Sequence, residues 1–236
     1  MKYESEHGVV KFWDPWPQLN VFKKIGINLS GGCDSALLMF FTCRELERRN
    51  SDATIIPITG VHTLRPTNIW NATEILSLFK DMFPTVNFGE HQVFYYDKES
   101  SDDKVNKHHA YERTLYRDKI IDALFHGRTS NPPKEECEKH DLSYNRELKR
   151  DCDSPKKETY LGDHRGGFYC PFDYVDKRFI ADMYKQYNLM DNLFPLTASC
   201  VGYADTTDYW TKPCKECWWC REKKWAFGYY DGKITD

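Results

Sequence analysis

Short, unbroken apolar runs alternate along the chain with longer stretches of helical period. Ile25-Gly26-Ile27-Asn28-Leu29 is a brief apolar run after Lys24, the pattern of a buried strand. Leu37-Leu38-Met39-Phe40-Phe41 opens a helix that continues through Arg49. Residues 53–59 form a second apolar run, which predicts a parallel strand ending at Gly60. Between 67 and 82, Ile69, Trp70, Ala72, Ile75, Leu76, Leu78, Phe79 and Met82 recur at helical spacing. A third strand is expected within 87–96, around Gln92-Val93-Phe94-Tyr95-Tyr96. Residues 107–125 read as a helix, with the last of them alternatively forming a strand that enters the segment 126–133. This rhythm predicts an α/β fold, a parallel sheet with helices on both faces. Ligands collect at the carboxyl ends of such strands, so residues 30–35, 60–65 and 127–131 are expected to converge.

The pattern changes after Pro133. Residues 134–165 are strongly charged, poor in aliphatics and without period, so they read as an exposed insertion or a mobile loop. Phe168-Tyr169-Cys170-Pro171-Phe172 restores apolar character, and 176–189 form an amphipathic helix with Phe179, Ile180, Met183, Tyr184 and Tyr187 on its buried side. The expected division is a nucleotide-binding unit over 1–190 and a small C-terminal unit over 191–236 packed against it.

Chemistry concentrates at two places. The first is Ser30-Gly31-Gly32-Cys33-Asp34-Ser35, between the first strand and its helix. Glycines let the backbone approach an anion, and the first-turn amides with the helix dipole stabilise its charge. Ser30 and Ser35 offer hydroxyls, and Asp34 offers oxygens to magnesium. No Gly-Lys-Ser/Thr follows, so this is not a Walker A loop. A Cys33 thiol exposed beside the helix N-terminus would have a lowered pKa; the alternative is that the position merely tolerates a small side chain. The second place is Cys200, Cys214, Cys217 and Cys220. Four thiolates at this spacing suit a closed tetrahedral zinc site, with an iron–sulfur cluster and disulfides as the competing readings. Nine cysteines, an odd number, argue against a fully paired secreted framework.

Composition narrows the classes further. With 40% hydrophobic and 15% aromatic residues the chain can build a core, so wholesale disorder is excluded. No apolar run approaches the length of a membrane span, and the start carries no apolar signal region; a cytoplasmic protein is expected. The net charge of −3 gives no general reason to expect nucleic-acid binding. The basic clusters at 146–150 and 212–224 are interleaved with acids and read as solvated surface.

Ser30-Gly31-Gly32-Cys33-Asp34-Ser35 resembles the PP-loop of the ATP pyrophosphatase superfamily, whose members adenylate a substrate and release pyrophosphate. With Pro171, the helix at 176–189, Thr197-Ala198-Ser199-Cys200 and Pro213-Cys214-Lys215-Glu216-Cys217-Trp218-Trp219-Cys220-Arg221, the layout is similar to the 7-cyano-7-deazaguanine synthase family. The resemblance covers both ends closely and the middle loosely. It implies ATP and magnesium as reactants, a structural zinc on the four cysteines, and a 7-deazaguanine carboxylate that is adenylated and joined to ammonia, first as an amide and then as a nitrile. A homodimer is compatible with it. Two family segments differ: a Tyr-Gly-Gln-Arg-His-like string is replaced by Thr59-Gly60-Val61-His62-Thr63-Leu64-Arg65, and a Tyr-Pro-Asp-Cys-Arg-like string by Gly127-Arg128-Thr129-Ser130-Asn131-Pro132-Pro133. A tRNA sulfurtransferase, with Cys137 or Cys152 as catalytic thiol, and a diverged ligase with another acid or amine remain as alternatives.

Adenylation replaces an oxide leaving group by AMP, so the site needs donors for phosphate charge. Gly60 and Gly127 are expected beside the nucleotide. Arg65 and Arg128 are candidates to clamp phosphate or substrate carboxylate, Asn131 to read polar edges, and His62 for a catalytic role. No general base is evident.

Overall fold

The apolar runs lie side by side in one sheet. The computed structural model describes residues 1–12, 21–97, 101–142, 150–151, 159–162 and 166–235. The central strand β3 (Lys24–Asn28) pairs in parallel with β4 (Thr54–His62) on one side and β7 (Ala123–Phe125) on the other. Beyond β4, the edge is shared by β5 (Asn87–Phe88) and β6 (Gln92–Tyr96), both parallel to it. Beyond β7 lies β9 (Gly166–Tyr169), also parallel, and then β8 (Thr159–Gly162), antiparallel to β9. The predicted α/β class with a mostly parallel sheet is the observed one.

Both faces of the sheet are covered, which is why the central strands read as continuous apolar runs. One face packs on α1 (Cys33–Arg48) and α5 (Lys177–Gln186), where Ile25, Ile27, Leu37, Phe41, Phe125, Phe179 and Ile180 are buried. The other packs on α3 (Ser101–Arg117), with Ile58, Phe94, Leu115, Ile121 and Leu124 buried between them. Each large apolar side chain buried this way stabilises the fold by roughly 1.5–3 kcal/mol. Helix α2 (Thr67–Met82) follows β4 and buries Ala72, Ile75, Leu76 and Phe79, the expected face. A small hairpin of β1 (Lys2–Ser5) and β2 (Gly8–Lys11) seals the core, with Tyr3 stacked on Phe41 at 3.6 Å and 10°.

Three elements depart from the sequence reading. Strand β4 does not stop at Gly60 but runs to His62, because Val61 and His62 pair with Tyr95 and Tyr96 of β6; Gly60 leaves room for the Phe94 ring, to which a Cβ would come within 2.5 Å. Helix α3 starts at Ser101 and ends at Arg117, leaving β7 as the strand into residue 126. The described part of 134–165 is largely exposed, as expected, but it is anchored: α4 (Lys134–Lys139) buries Cys137, Leu142 is buried, and Trp218 Nε1 donates to Leu142 O at 2.5 Å. The acidic and basic side chains of that segment hid two anchors too far apart to show a period. Cys152 lies outside the described residues. The C-terminal helix α6 (Trp218–Phe227) packs on α5 and ends at Gly228, whose φ of +76° is the left-handed cap that glycine favours.

Candidate active site and metal centre

Strand order reverses at β3 and β7: the chain leaves β3 for β4 on one side and returns to β7 on the other. Open parallel sheets bind ligands at such a switch point. There the structure has a cleft of about 250 Å³, several times the space a single water needs. Its floor is the loop after β3 and its rim the loop after β7.

The loop is held in shape by its own hydroxyls. Ser35 Oγ donates to Gly32 O at 3.0 Å and accepts from Ser30 N at 3.2 Å, and the Ser30 and Ser35 hydroxyl oxygens are 3.1 Å apart. Gly31 has φ +81° and lies so close to α2 that a Cβ would come within 3.0 Å of Asn68 O. Gly127 is just as constrained: a Cβ there would meet the Asp34 carbonyl at 2.8 Å. Glycine therefore lets the β7 loop lie directly on the first turn of α1. Cys33 is buried at 1% exposure, and burial pushes its thiol up to about 12. Of the two sequence readings, the accessible, acidified thiol is not seen, and the position holds a small core side chain, as the other reading has it.

Lys177, at the start of α5, brings a cation under this loop. Its Nζ is 3.1 Å from Asp34 Oδ2 and 2.7 Å from Glu222 Oε2, with the side chain 5% exposed. Burial opposes its charge, but the Asp34 and Glu222 carboxylates outweigh that and hold the ammonium well above its ordinary range. Glu222 is itself buried, with Arg150 Nη2 at 3.8 Å from its second oxygen. Arg150 donates to Thr129 O at 3.0 Å and lies over the Trp218 ring at 5.4 Å. The basic cluster at 146–150, read as solvated surface, therefore ends in a cleft-lining arginine.

The sequence candidates divide. Ser30, Gly32, Cys33, Asp34, Ser35, Gly127 and Arg128 line the cleft. Arg128 does so with Nε and Nη2 bonded to buried Asp173 at 2.8 and 2.7 Å, a bidentate fork turned toward the protein. Gly60, His62, Arg65 and Asn131 do not line it. His62 is buried, accepts from Leu64 N at 3.1 Å and sits edge-on to Tyr96 and Tyr203. Arg65 donates to Val201 O at 2.6 Å and lies over Tyr203. Asn131 is buried and donates to Asp151 at 2.7 Å. The expected convergence of residues 60–65 on the cleft is not seen, because β4 continues past the level at which β3 ends.

Lys177, Glu222, Arg150, Asn28 and His126 line the cleft without having been singled out. Lys177 left a signal: it shares a helical face with buried Ile180 and Tyr184, where a charge is out of place. Glu222 stands four residues after buried Trp218 in the same way.

A cluster of four cysteines adjoins the cleft through Cys200. Cys200, Cys214, Cys217 and Cys220 are free thiols whose sulfurs all lie within 4.8 Å of one another. A tetrahedral ion with sulfurs at about 2.3 Å needs sulfurs about 3.8 Å apart, and Cys214 and Cys220 are separated by 4.0 Å. Backbone amides of Gly202 and Cys214 donate to Cys200 Sγ at 3.3 and 3.2 Å, and Cys217 N donates to Cys214 Sγ at 3.4 Å. Four thiolates this close repel strongly unless a cation sits among them, and the amides add to its effect. The donor set fits a metal ion. Asp231 fixes the first ligand, accepting from Ser199 N and Cys200 N at 2.9 Å each, and is itself held by fully buried Lys223 at 2.6 Å. Cys200 and Trp219 also line the switch-point cleft.

No protein-family model and no curated protein matches the chain. Among solved structures it is similar to the U34-tRNA thiolase NcsA from Methanococcus maripaludis with its [4Fe-4S] cluster, at 13% identity and a TM-score of 0.45. The likeness covers 70% of this chain and 57% of the thiolase. No described helix is long and apolar enough to cross a membrane.

Proposed function

We propose that the protein is an ATP-dependent adenylating enzyme of the PP-loop type. The observation that carries this is the loop Ser30-Gly31-Gly32-Cys33-Asp34-Ser35 at the helix N-terminus of the switch-point cleft, with buried, charged Lys177 beneath it. The amides of α1 and the two hydroxyls receive the phosphates, and Asp34 supplies oxygen to a magnesium ion that also takes phosphate oxygens. Magnesium there neutralises charge on the leaving pyrophosphate. The Lys177 ammonium is already desolvated and fixed, so it stabilises charge at the phosphates without reorganising.

The substrate we favour is a carboxylate on a 7-deazaguanine-type heterocycle, with ammonia as acceptor. This follows the sequence resemblance, and the Trp218–Trp219 pair on the cleft wall offers aromatic surface for a planar ring. A zinc ion on the four cysteines would hold that wall together. A second reading, sulfur transfer to a nucleic-acid base from an iron–sulfur cluster, is favoured by the place of Cys200 in the cleft wall. Against it, Cys33, Cys43, Cys137 and Cys170, the other described cysteines, are buried. Purified protein incubated with ATP, magnesium and 7-carboxy-7-deazaguanine should release pyrophosphate and, with ammonium, an amide or nitrile seen by mass spectrometry. Pyrophosphate release with a tRNA substrate only, from protein carrying iron and acid-labile sulfide, selects the second reading.

A further inference from the structure

A second cavity, of about 370 Å³, shares Ala198 and Cys200 with the switch-point cleft but none of the loop at 30–35. Two of its walls are indoles: Trp70 of α2 and Trp210 of the loop between Cys200 and Cys214. Their ring centroids are 5.7 Å apart and their planes lie at 81°, so they form a corner rather than a stack. Packing of the fold does not account for this corner. Trp70 is 52% exposed. Trp210 ends a run of three non-glycine residues, Asp208, Tyr209 and Trp210, with φ of +49°, +54° and +63°. L-residues enter the left-handed region singly, so a run of three is strained. Tyr209 gains no burial from it, at 77% exposure, and Trp210 Nε1 is buried with no hydrogen-bond partner among the described residues. What the turn achieves is to bring the Trp210 ring against Trp70.

The charged groups lining the cavity are Glu74, Lys212 and Asp231, and two of them are matched. Asp231 is held by Lys223 at 2.6 Å and by the Ser199 and Cys200 amides at 2.9 Å each. Lys212 lies 3.4 Å from Asp208. Glu74, one helical turn after Trp70 on the same face of α2, has no ion-pair or hydrogen-bond partner among the described residues. An unmatched carboxylate beside two indole rings suits a cation that also carries apolar surface. The rings attract its charge and cover its alkyl groups, and the carboxylate adds a full opposite charge. An anion would be repelled by Glu74, and a bare metal ion has no apolar surface for the rings to cover. We propose that this cavity binds an organic ammonium ion, one whose nitrogen carries alkyl groups, seated against Trp70 and Trp210 with its charge toward Glu74. The site is separate from the adenylation reading, which neither supports nor requires it.

The test is a titration of ¹⁵N-labelled full-length protein with choline, read from the indole N–H signals at low ionic strength, where an exposed carboxylate is least screened. The neutral isostere 3,3-dimethylbutan-1-ol is the control. The Trp70 and Trp210 signals, identified by their loss in Trp70→Phe and Trp210→Phe, should both shift with choline and saturate together. The alcohol should bind at least about tenfold more weakly, because it keeps the apolar contact and loses both charge interactions. Glu74→Gln changes an exposed side chain and leaves the fold intact; it should weaken choline by about fivefold and leave the alcohol unaffected. Should Trp210→Phe not fold, the Glu74 and Trp70 variants still decide the matter. Shifts that never saturate, equal affinity for choline and the alcohol, or a choline affinity that Glu74→Gln leaves unmoved would overturn the proposal. Choline shifts confined to Trp218 and Trp219 would overturn it too, since they place the cation in the switch-point cleft.

Discussion

Lys177 is the residue on which most of the cleft depends. It is the shared partner of Asp34 and Glu222, so its removal leaves two carboxylates facing each other in a buried site. Lys177→Ala should cost about 3–5 kcal/mol of stability, seen in urea titration, and abolish magnesium-dependent pyrophosphate release. A variant that is as stable as the parent would show that the ion pairs do not bind α5 to the loop. Glu222→Gln, which keeps size and hydrogen-bonding groups, should lose less stability. Cys33 offers a second check at this scale. Held as a neutral thiol by burial, it should resist iodoacetamide at pH 8 in folded protein, and rapid labelling would contradict its burial. At the residue level the loop at 30–35 and the four cysteines were legible because each is contiguous or nearly so. Lys177, Glu222 and His126 were not, since residues far apart in sequence meet only when β3, β7, α5 and α6 pack. His62 and Arg65 drew attention by their strand-end position, yet a two-residue overrun of β4 past Gly60 takes them off the cleft.

Among the elements, the β7 loop lies directly on the first turn of α1, and two glycines separate close approach from backbone conformation. Gly127→Ala puts a methyl 2.8 Å from the Asp34 carbonyl, with backbone rather than flexible side chain in the way. It should cost about 1–3 kcal/mol and weaken nucleotide binding, because the first turn of α1 has to shift. Gly228→Ala meets nothing within 4 Å but keeps φ at +76°, so it should cost about 1 kcal/mol and leave nucleotide affinity as it was. Equal effects on nucleotide affinity, measured by calorimetry, would contradict the close-packed floor. Long elements with strong period, such as α2 and β6, were legible to the residue. The N-terminal hairpin was not, because four-residue strands give no period; Tyr3 and Phe12 find their place only against Phe41 of α1.

In the whole molecule, two shifted groups predict an acid-sensitive fold. His126 is depressed by burial, so the unfolded chain binds its proton more readily, and stability falls as pH drops below about 6.5. Glu112 is depressed by His108 and His126 beside it despite burial, so its contribution is complete above 4.5 and is lost below it. The melting temperature should fall from pH 7 to 4, with Glu112→Gln flattening the part below 4.5; a pH-independent melt would refute both. The four cysteines that could hold a metal ion lie beside the cleft. Cys200→Ser or a chelator should lower the melting temperature and, because Cys200 and Trp219 wall the cleft, reduce nucleotide binding as well. The central claim, that the switch-point cleft cleaves ATP between its α- and β-phosphates, is tested most directly by ³¹P NMR of ATP, magnesium and 7-carboxy-7-deazaguanine with the protein. AMP and pyrophosphate, lost in Ser35→Ala and Asp34→Ala proteins that still fold, is the predicted result. ADP with inorganic phosphate, or turnover that survives both changes, would contradict it.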